Sequence, residues 1–144
     1  MVRRADPVAV IWAEAPLALS FLAEDWGFTG PERTAGGVAY HRPGVHVDMS
    51  FWAWKNERGI TTTLAKVDRD GTEQRASLGV LYAASGLGPA SAVPESAGTL
   101  YVIRKRIGQH AAALGALTAR LDAVDSGALF SRSSRTRDAG HRGG

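Results

Sequence analysis

The sequence predicts an α+β fold: an antiparallel meander of three to four strands with the N- and C-terminal helices packed on one face. Two observations carry this prediction. Between residues 38 and 67, apolar and polar residues alternate and turn residues interrupt them, which is typical of strands joined in chain order. On both sides of this region, apolar residues recur every three or four positions, which is the period of a helix. At 144 residues, the chain has the size of one domain with an ordinary core.

The first helical pattern begins at Asp6-Pro7, because an aspartate can cap a helix and proline fits its first turn. Pro16 lacks an amide hydrogen, so we expect a kink or a fresh start there. Gly27 is a natural left-handed terminator of the helix. Residues 29–37 are rich in glycine and polar residues and are predicted to be a loop.

The strands are predicted at residues 38–42, 45–54 and 60–67, with a short extra strand near 72–76. Pro43-Gly44 suits a tight turn, and residues 55–59 are predicted to be a polar connection. Because side chains alternate along a strand, one face of strand 45–54 carries Val45, Val47, Met49, Phe51 and Ala53. The other face carries His46, Asp48, Ser50, Trp52 and Trp54.

Two further helices are predicted after the strands. Ser77 can cap a short helix that ends at Ser85-Gly86, and Ser96 is the predicted cap of a long last helix that stops at Ser126-Gly127. The apolar face of that last helix consists of Ile103, Ile107, Leu114, Leu117, Leu121 and Val124. We therefore expect a single α+β domain over residues 1–130, followed by a disordered tail rich in Arg, Ser and Gly over residues 131–144.

Composition narrows the classes of function. The chain has no cysteine, which excludes disulfides and cysteine-based metal sites and fits a cytoplasmic location. The net charge of +3 comes entirely from the last 14 residues, so residues 1–130 do not have the basic composition of a nucleic-acid-binding domain. We expect no membrane span, since no uninterrupted apolar run approaches about 18 residues.

No catalytic or metal-binding motif stands out. The four histidines show no ligand spacing, and His41 and His46, five positions apart across a turn, need not share a face. His46, Asp48 and Ser50 point the same way along one strand but cannot fold onto one another as a catalytic triad does. We therefore predict a protein that is not an enzyme, with no catalytic, cofactor-binding or metal-binding residues.

The surface feature that the sequence favours as a site is a pair of tryptophans. Trp52 and Trp54 share one face of their strand and are followed by Lys55 and Arg58. Tryptophan and arginine are over-represented at protein interfaces, so these four residues are the predicted partner-binding site. The alternative is that one of the helices packs on the two indoles.

Three pieces of the sequence carry a resemblance to a known family. Residues 21–28 read FLAEDWGF, residues 38–40 and 45–49 read VAY and VHVDM, and residues 100–124 form a leucine-patterned helix. Together they resemble small, mostly uncharacterised bacterial proteins related to the immunity proteins of polymorphic toxin systems. In that family the hairpin is usually followed by an acidic strand, whereas this chain has Ile60-Thr61-Thr62-Thr63, and residues 131–144 have no counterpart. The resemblance implies a protein without catalytic residues that occludes a toxin.

The expected function is therefore that of a non-enzymatic, immunity-like protein-binding module whose partner is a toxin or another bacterial protein. One alternative is a nucleic-acid-associated accessory protein that uses the basic tail together with residues 104–106. A second alternative is a small-ligand binder or enzyme, with a pocket between the sheet and the helices built around His46, Asp48 and Tyr82.

Overall fold

The computed structural model describes residues 6–123, with side chains up to Arg120. Its centre is a five-stranded antiparallel sheet whose strands lie side by side in chain order. The strands are β1 (Thr29–Arg33), β2 (Gly37–Arg42), β3 (Val45–Trp54), β4 (Glu57–Val67) and β5 (Glu73–Ser77). The α-helices are α1 (Pro7–Ala18), α2 (Ser20–Trp26), α3 (Leu78–Ala84) and α4 (Leu100–Ala123). The predicted helix end at Ser126-Gly127, the place of Val124 and the tail over 131–144 lie outside the described residues.

The α+β prediction is confirmed, with five strands instead of three to four. The additional strand is β1, which had the composition of a loop. It pairs with β2 through Glu32 opposite Ala39 and Arg33 opposite Val38, and the register shifts between Thr29 and Glu32. All five of its residues are exposed, so it has no alternation of apolar and polar residues from which a strand could be predicted.

The two hairpins in the middle of the sheet turn tightly. Pro43-Gly44 joins β2 to β3 as predicted, and Gly44 has the positive φ of 79° that favours glycine. The turn between β3 and β4 is shorter than the predicted connection over 55–59. It contains only Lys55 and Asn56, because Lys55 adopts a φ of 55° and the chain reverses at once.

The first helical segment begins as predicted, with the Asp6 carboxylate accepting a hydrogen bond from the Val8 amide at 2.9 Å. The helix breaks at Leu19 and not at Pro16, so α1 continues for two residues beyond the proline. The lost hydrogen bond belongs to Pro16 alone, and the Leu19 amide still donates to Ala15 at 2.8 Å. Gly27 ends α2 with a φ of 73°, as its position predicted.

Helix α4 is capped by Thr99 and not by Ser96. The Thr99 hydroxyl accepts from the Val102 amide at 3.2 Å, which is the interaction of an N-cap residue. Ser96 lies earlier, in an extended segment that pairs with Gly59 of β4. The prediction for α3 is confirmed, since the Ser77 hydroxyl accepts from the Val80 amide and Gly86 follows the helix with a φ of 80°.

The core lies on one face of the sheet, beneath α1 and α4. Leu114 and Leu117, predicted to be on the inner side of the last helix, are fully buried there. The sheet contributes residues that alternate along the strands: Val38, Tyr40, Val47, Met49, Ile60 and Leu64. The opposite face, to which His46, Asp48, Ser50, Trp52 and Trp54 belong by register, is called the helix-free face below.

One segment departs from the expectation that the chain has no stretch long and apolar enough to span a membrane. Residues Pro7–Trp26 meet that test by length and composition, with a mean hydropathy of 1.3. In the fold, this stretch is two helices broken at Leu19, and its residues Val10, Ile11, Ala15, Leu19 and Leu22 are buried in the core.

Candidate functional site

The helix-free face contains a shallow cavity near the β2–β3 turn. Cross-strand pairing places His41, His46, Ala65 and Arg75 in one row across four strands. The neighbouring row contains Ala39, Asp48 and Thr63. The cavity, of about 260 Å³, lies over these rows and is also lined by Glu73. The small side chains of Ala39 and Ala65 form its floor, and polar side chains form its walls.

A hydrogen-bonded pair of histidines forms one wall of this cavity. The Nδ1 atoms of His41 and His46 lie 2.6 Å apart, and the rings meet edge to face. On its outer side, the Nε2 atom of His41 lies 3.2 Å from a carboxylate oxygen of Glu32. The result is a linear series from a β1 carboxylate through a β2 imidazole to a β3 imidazole.

The sequence analysis left open whether the two histidines share a face, and in the structure they do. A two-residue turn at Pro43-Gly44 forces residue 42 opposite 45, and therefore 41 opposite 46. This signal was present in the sequence once the turn was assigned. Glu32 could not have been found in the same way, because its strand was predicted to be a loop.

Three carboxylates, those of Asp48, Glu73 and Glu95, lie on the helix-free face. Asp48 accepts a hydrogen bond from the Ser50 hydroxyl at 2.7 Å, and Glu73 forms an ion pair with Arg75 at 2.7 Å. Glu95 reaches the same face from the segment beside β4. Burial raises the pKa of the Glu95 carboxyl, and a hydrogen bond from Thr61 partly offsets this shift.

The tryptophan pair lies at the other end of β3, beside the β3–β4 turn. Both indoles are on the helix-free face, as the alternation predicts, and 70% of Trp54 is exposed. The Lys55 ammonium lies 6.0 Å from the centre of the Trp54 ring, at the limit of a cation–π contact. Trp52 is half-buried, and its indole Nε1 is shielded from solvent without a hydrogen-bond partner among residues 6–123.

Arg58 does not join Trp52, Trp54 and Lys55. Because β4 begins at Glu57, Arg58 is a strand residue opposite Ala53 and faces the helix side of the sheet. Its guanidinium donates to the Gly98 carbonyl at 2.6 Å, next to the start of α4. The sequence-based assignment of Arg58 to the tryptophan surface is therefore corrected, and the error follows from the predicted length of the connection.

The alternative sites look different in the structure. His46 and Asp48 face away from the helices, and Tyr82 of α3 packs against the core, so these three residues do not share a sheet–helix pocket. Arg104 is paired with Glu14 at 2.6 Å, and Arg106 donates to the Ser96 carbonyl at 2.8 Å. Within residues 6–123, no group of three or more His, Cys, Asp or Glu side chains is placed to hold a metal ion.

Comparison of the chain with protein-family models, with curated proteins and with solved structures gave no match.

Proposed function

We propose that this protein is a non-enzymatic protein-binding module that contacts its partner through Trp52, Trp54 and Lys55. The observation that carries the proposal is the indole N–H of Trp52, which has no acceptor within residues 6–123 although it is shielded from solvent. It lies on the same face as Trp54, the indole of which is largely exposed.

The energetics favour a partner at this surface. A shielded donor without an acceptor costs about 1–3 kcal/mol, which a carbonyl oxygen of a bound protein would offset once the Trp52 side chain turns its N–H outward. Tryptophan side chains supply much of the binding free energy at protein interfaces when they become fully desolvated. Lys55, exposed at the tip of the hairpin, adds a cation at the rim of the surface.

The class of partner follows from the resemblance to immunity-like proteins. In this proposal the partner is a toxin or a related bacterial protein, which the module neutralises by occlusion in the cytoplasm. Occlusion requires no catalytic residues in this chain, only a surface that excludes the partner's substrate. The uncovered sheet face and the hairpin tip offer such a surface.

The experiment that tests the proposal is a titration with the protein encoded by the neighbouring gene. Trp54→Ala should weaken the complex by about 30-fold or more, since removal of a central aromatic anchor costs about 2 kcal/mol or more. Tyr101→Ala is the matched control, because Tyr101 is an equally exposed aromatic residue on α4, with 74% of its surface exposed. Equal affinities for the wild type and Trp54→Ala would contradict the proposed surface.

A further inference from the structure

The His41–His46 pair directs two imidazole nitrogens at one point on the helix-free face. Their Nδ1 atoms are 2.6 Å apart, so only one of the two can carry a proton in the space between them. The other nitrogen offers its lone pair to that proton. We propose that this pair is a binding site for a divalent transition-metal ion of the zinc class, with both Nδ1 atoms as ligands and Glu32 as a positioning residue.

The geometry needs little adjustment to accept such an ion. Zinc binds histidine nitrogen at about 2.0–2.1 Å in a tetrahedral arrangement, which sets two nitrogen ligands about 3.3 Å apart. The two rings must therefore separate by less than about 1 Å. They are carried on directly paired positions of β2 and β3, which fix both backbones while the rings turn. The ion takes the place of the shared proton, which moves to the outer Nε2 of His46, so that this ring binds as a neutral imidazole.

Glu32 holds the ligand His41 in the required tautomer. Its carboxylate accepts from Nε2 of His41, so the proton of that ring is on Nε2 and Nδ1 is free to coordinate. A carboxylate on the outer nitrogen of a metal-bound histidine is a common arrangement that raises the basicity of the ligand. Of the Glu32 side chain, 69% is exposed, so it can be changed without disturbing the core.

The surrounding charges favour a cation over an anion. Glu73 and Arg75 neutralise each other in their ion pair, which leaves the carboxylates of Glu32 and Asp48 near the histidines. The adjacent cavity is open to water, and water molecules would supply the remaining ligands of an ion held by two histidine nitrogens. Imidazole ligands suit zinc, copper and nickel better than magnesium or calcium.

This site is independent of the proposed protein-binding surface. His46 and Trp52 are six positions apart on β3, or about 20 Å along the strand. The metal site and the tryptophan surface can therefore fail or succeed separately when each is tested.

The test is a Zn²⁺ titration of the purified full-length chain, labelled with ¹⁵N at histidine and followed by long-range ¹H–¹⁵N correlation spectra. We expect saturable shifts of the Nδ1 resonances of His41 and His46, with the resonances of the buried His110 unchanged as an internal control.

Three variants separate a metal site from a structural hydrogen bond. His46→Ala should abolish the shifts, and Glu32→Gln, which keeps both ligands, should weaken Zn²⁺ binding by about 10- to 100-fold. His141→Ala, which removes a histidine beyond the described residues, should leave the affinity unchanged. A lack of saturable binding up to about 1 mM Zn²⁺, or binding that survives His46→Ala, would overturn the site. An unchanged affinity in Glu32→Gln would overturn the positioning role of Glu32.

Discussion

At the scale of single residues, His110 of α4 is a fully buried polar residue in the core. Its Nε2 lies 2.8 Å from the Pro94 carbonyl oxygen, and its Nδ1 lies 2.9 Å from the Thr62 hydroxyl. A carbonyl only accepts, so Nε2 carries the proton and Nδ1 accepts from Thr62. One neutral imidazole therefore ties α4 to β4 and to the segment before Ser96.

This arrangement makes stability depend on pH. Burial lowers the pKa of His110, and the nearby Arg106 lowers it further, although the bond to Pro94 acts in the other direction. The unfolded chain takes up a proton at His110 near pH 6.5, while the folded chain does not. The stabilisation is therefore complete above about pH 6.5 and decreases as the pH falls, by at most about 1.4 kcal/mol per pH unit.

Denaturant unfolding at pH 7 and pH 5 measures this effect. His110→Gln, whose amide can replace the bond to Pro94 but does not titrate, should show a smaller difference between the two pH values than the wild type. If the two proteins show the same dependence of stability on pH, that dependence arises from ionisable groups other than His110.

Tyr40 presents the opposite case, a buried group without a partner. Only 1% of the residue is exposed, and its hydroxyl has no hydrogen bond within residues 6–123. Burial raises the pKa of Tyr40 to about 12, so the hydroxyl remains an unpaired donor at neutral pH. Tyr40→Phe should leave the free energy of unfolding unchanged or raise it by up to about 1 kcal/mol. A loss of more than about 1 kcal/mol in a urea titration would show that the hydroxyl is paired in the full-length chain.

At the scale of elements, the sequence predicted the strands and helices that bury one apolar face or carry local capping signals. Strand β3 was predicted with its observed ends, since one of its faces is apolar over five alternate positions. Helix α3 was predicted because its cap, Ser77, and the glycine after it are both local signals. Strand β1 has neither kind of signal: it is held by backbone pairing with β2 and exposes every side chain.

The segment beside β4 depends on close backbone approach at Gly59. The Ile60 amide donates to the Glu95 carbonyl at 2.9 Å, and the Ala97 amide donates to the Arg58 carbonyl at 2.8 Å. A Cβ atom on Gly59 would collide with the Glu95 carbonyl oxygen. Gly59→Ala should therefore cost about 1–3 kcal/mol of stability, because the segment must move away from the strand.

Gly108→Ala is the matched control for this variant. It makes the same substitution in the interior of α4, where an added Cβ meets no heavy atom within 4 Å. It should stabilise the protein by about 0.5–1 kcal/mol, since glycine is a poor helix former. Thermal unfolding of the two variants should thus show shifts of opposite sign, and a neutral Gly59→Ala would mean that the segment is not docked tightly.

At the scale of the whole molecule, the fold is a sheet covered by helices on one face. The alternation of side chains along β3 correctly predicted that both tryptophans lie on the helix-free face. This prediction depends on one strand only and not on how neighbouring strands pair. The error at Arg58 and the missed His41–His46 contact both concern pairing between strands. Such pairing depends on the lengths of the turns, and an overestimated turn moves a residue such as Arg58 from a strand into a loop.

The two-layer arrangement predicts different effects for adjacent aromatic residues of the same strand. Phe51 faces the helices and packs against the core, whereas Trp52 is half-buried and Trp54 largely exposed on the other side. Phe51→Ala removes contacts in the core and should cost about 2–4 kcal/mol of unfolding free energy. Trp54→Ala removes a solvated side chain and should change stability by about 0.5 kcal/mol or less.

Trp52→Ala is the decisive variant of this series. It deletes a partly covered indole together with its unpaired N–H donor, so the lost burial is offset in part by relief of that donor. Its loss of stability should fall between those of the other two variants, which denaturant midpoints measured under one condition would resolve. If Trp52→Ala destabilises the protein as much as Phe51→Ala does, the indole belongs to a second core on the opposite face of the sheet. The tryptophan surface would then be part of a second core and not a binding surface for a partner protein.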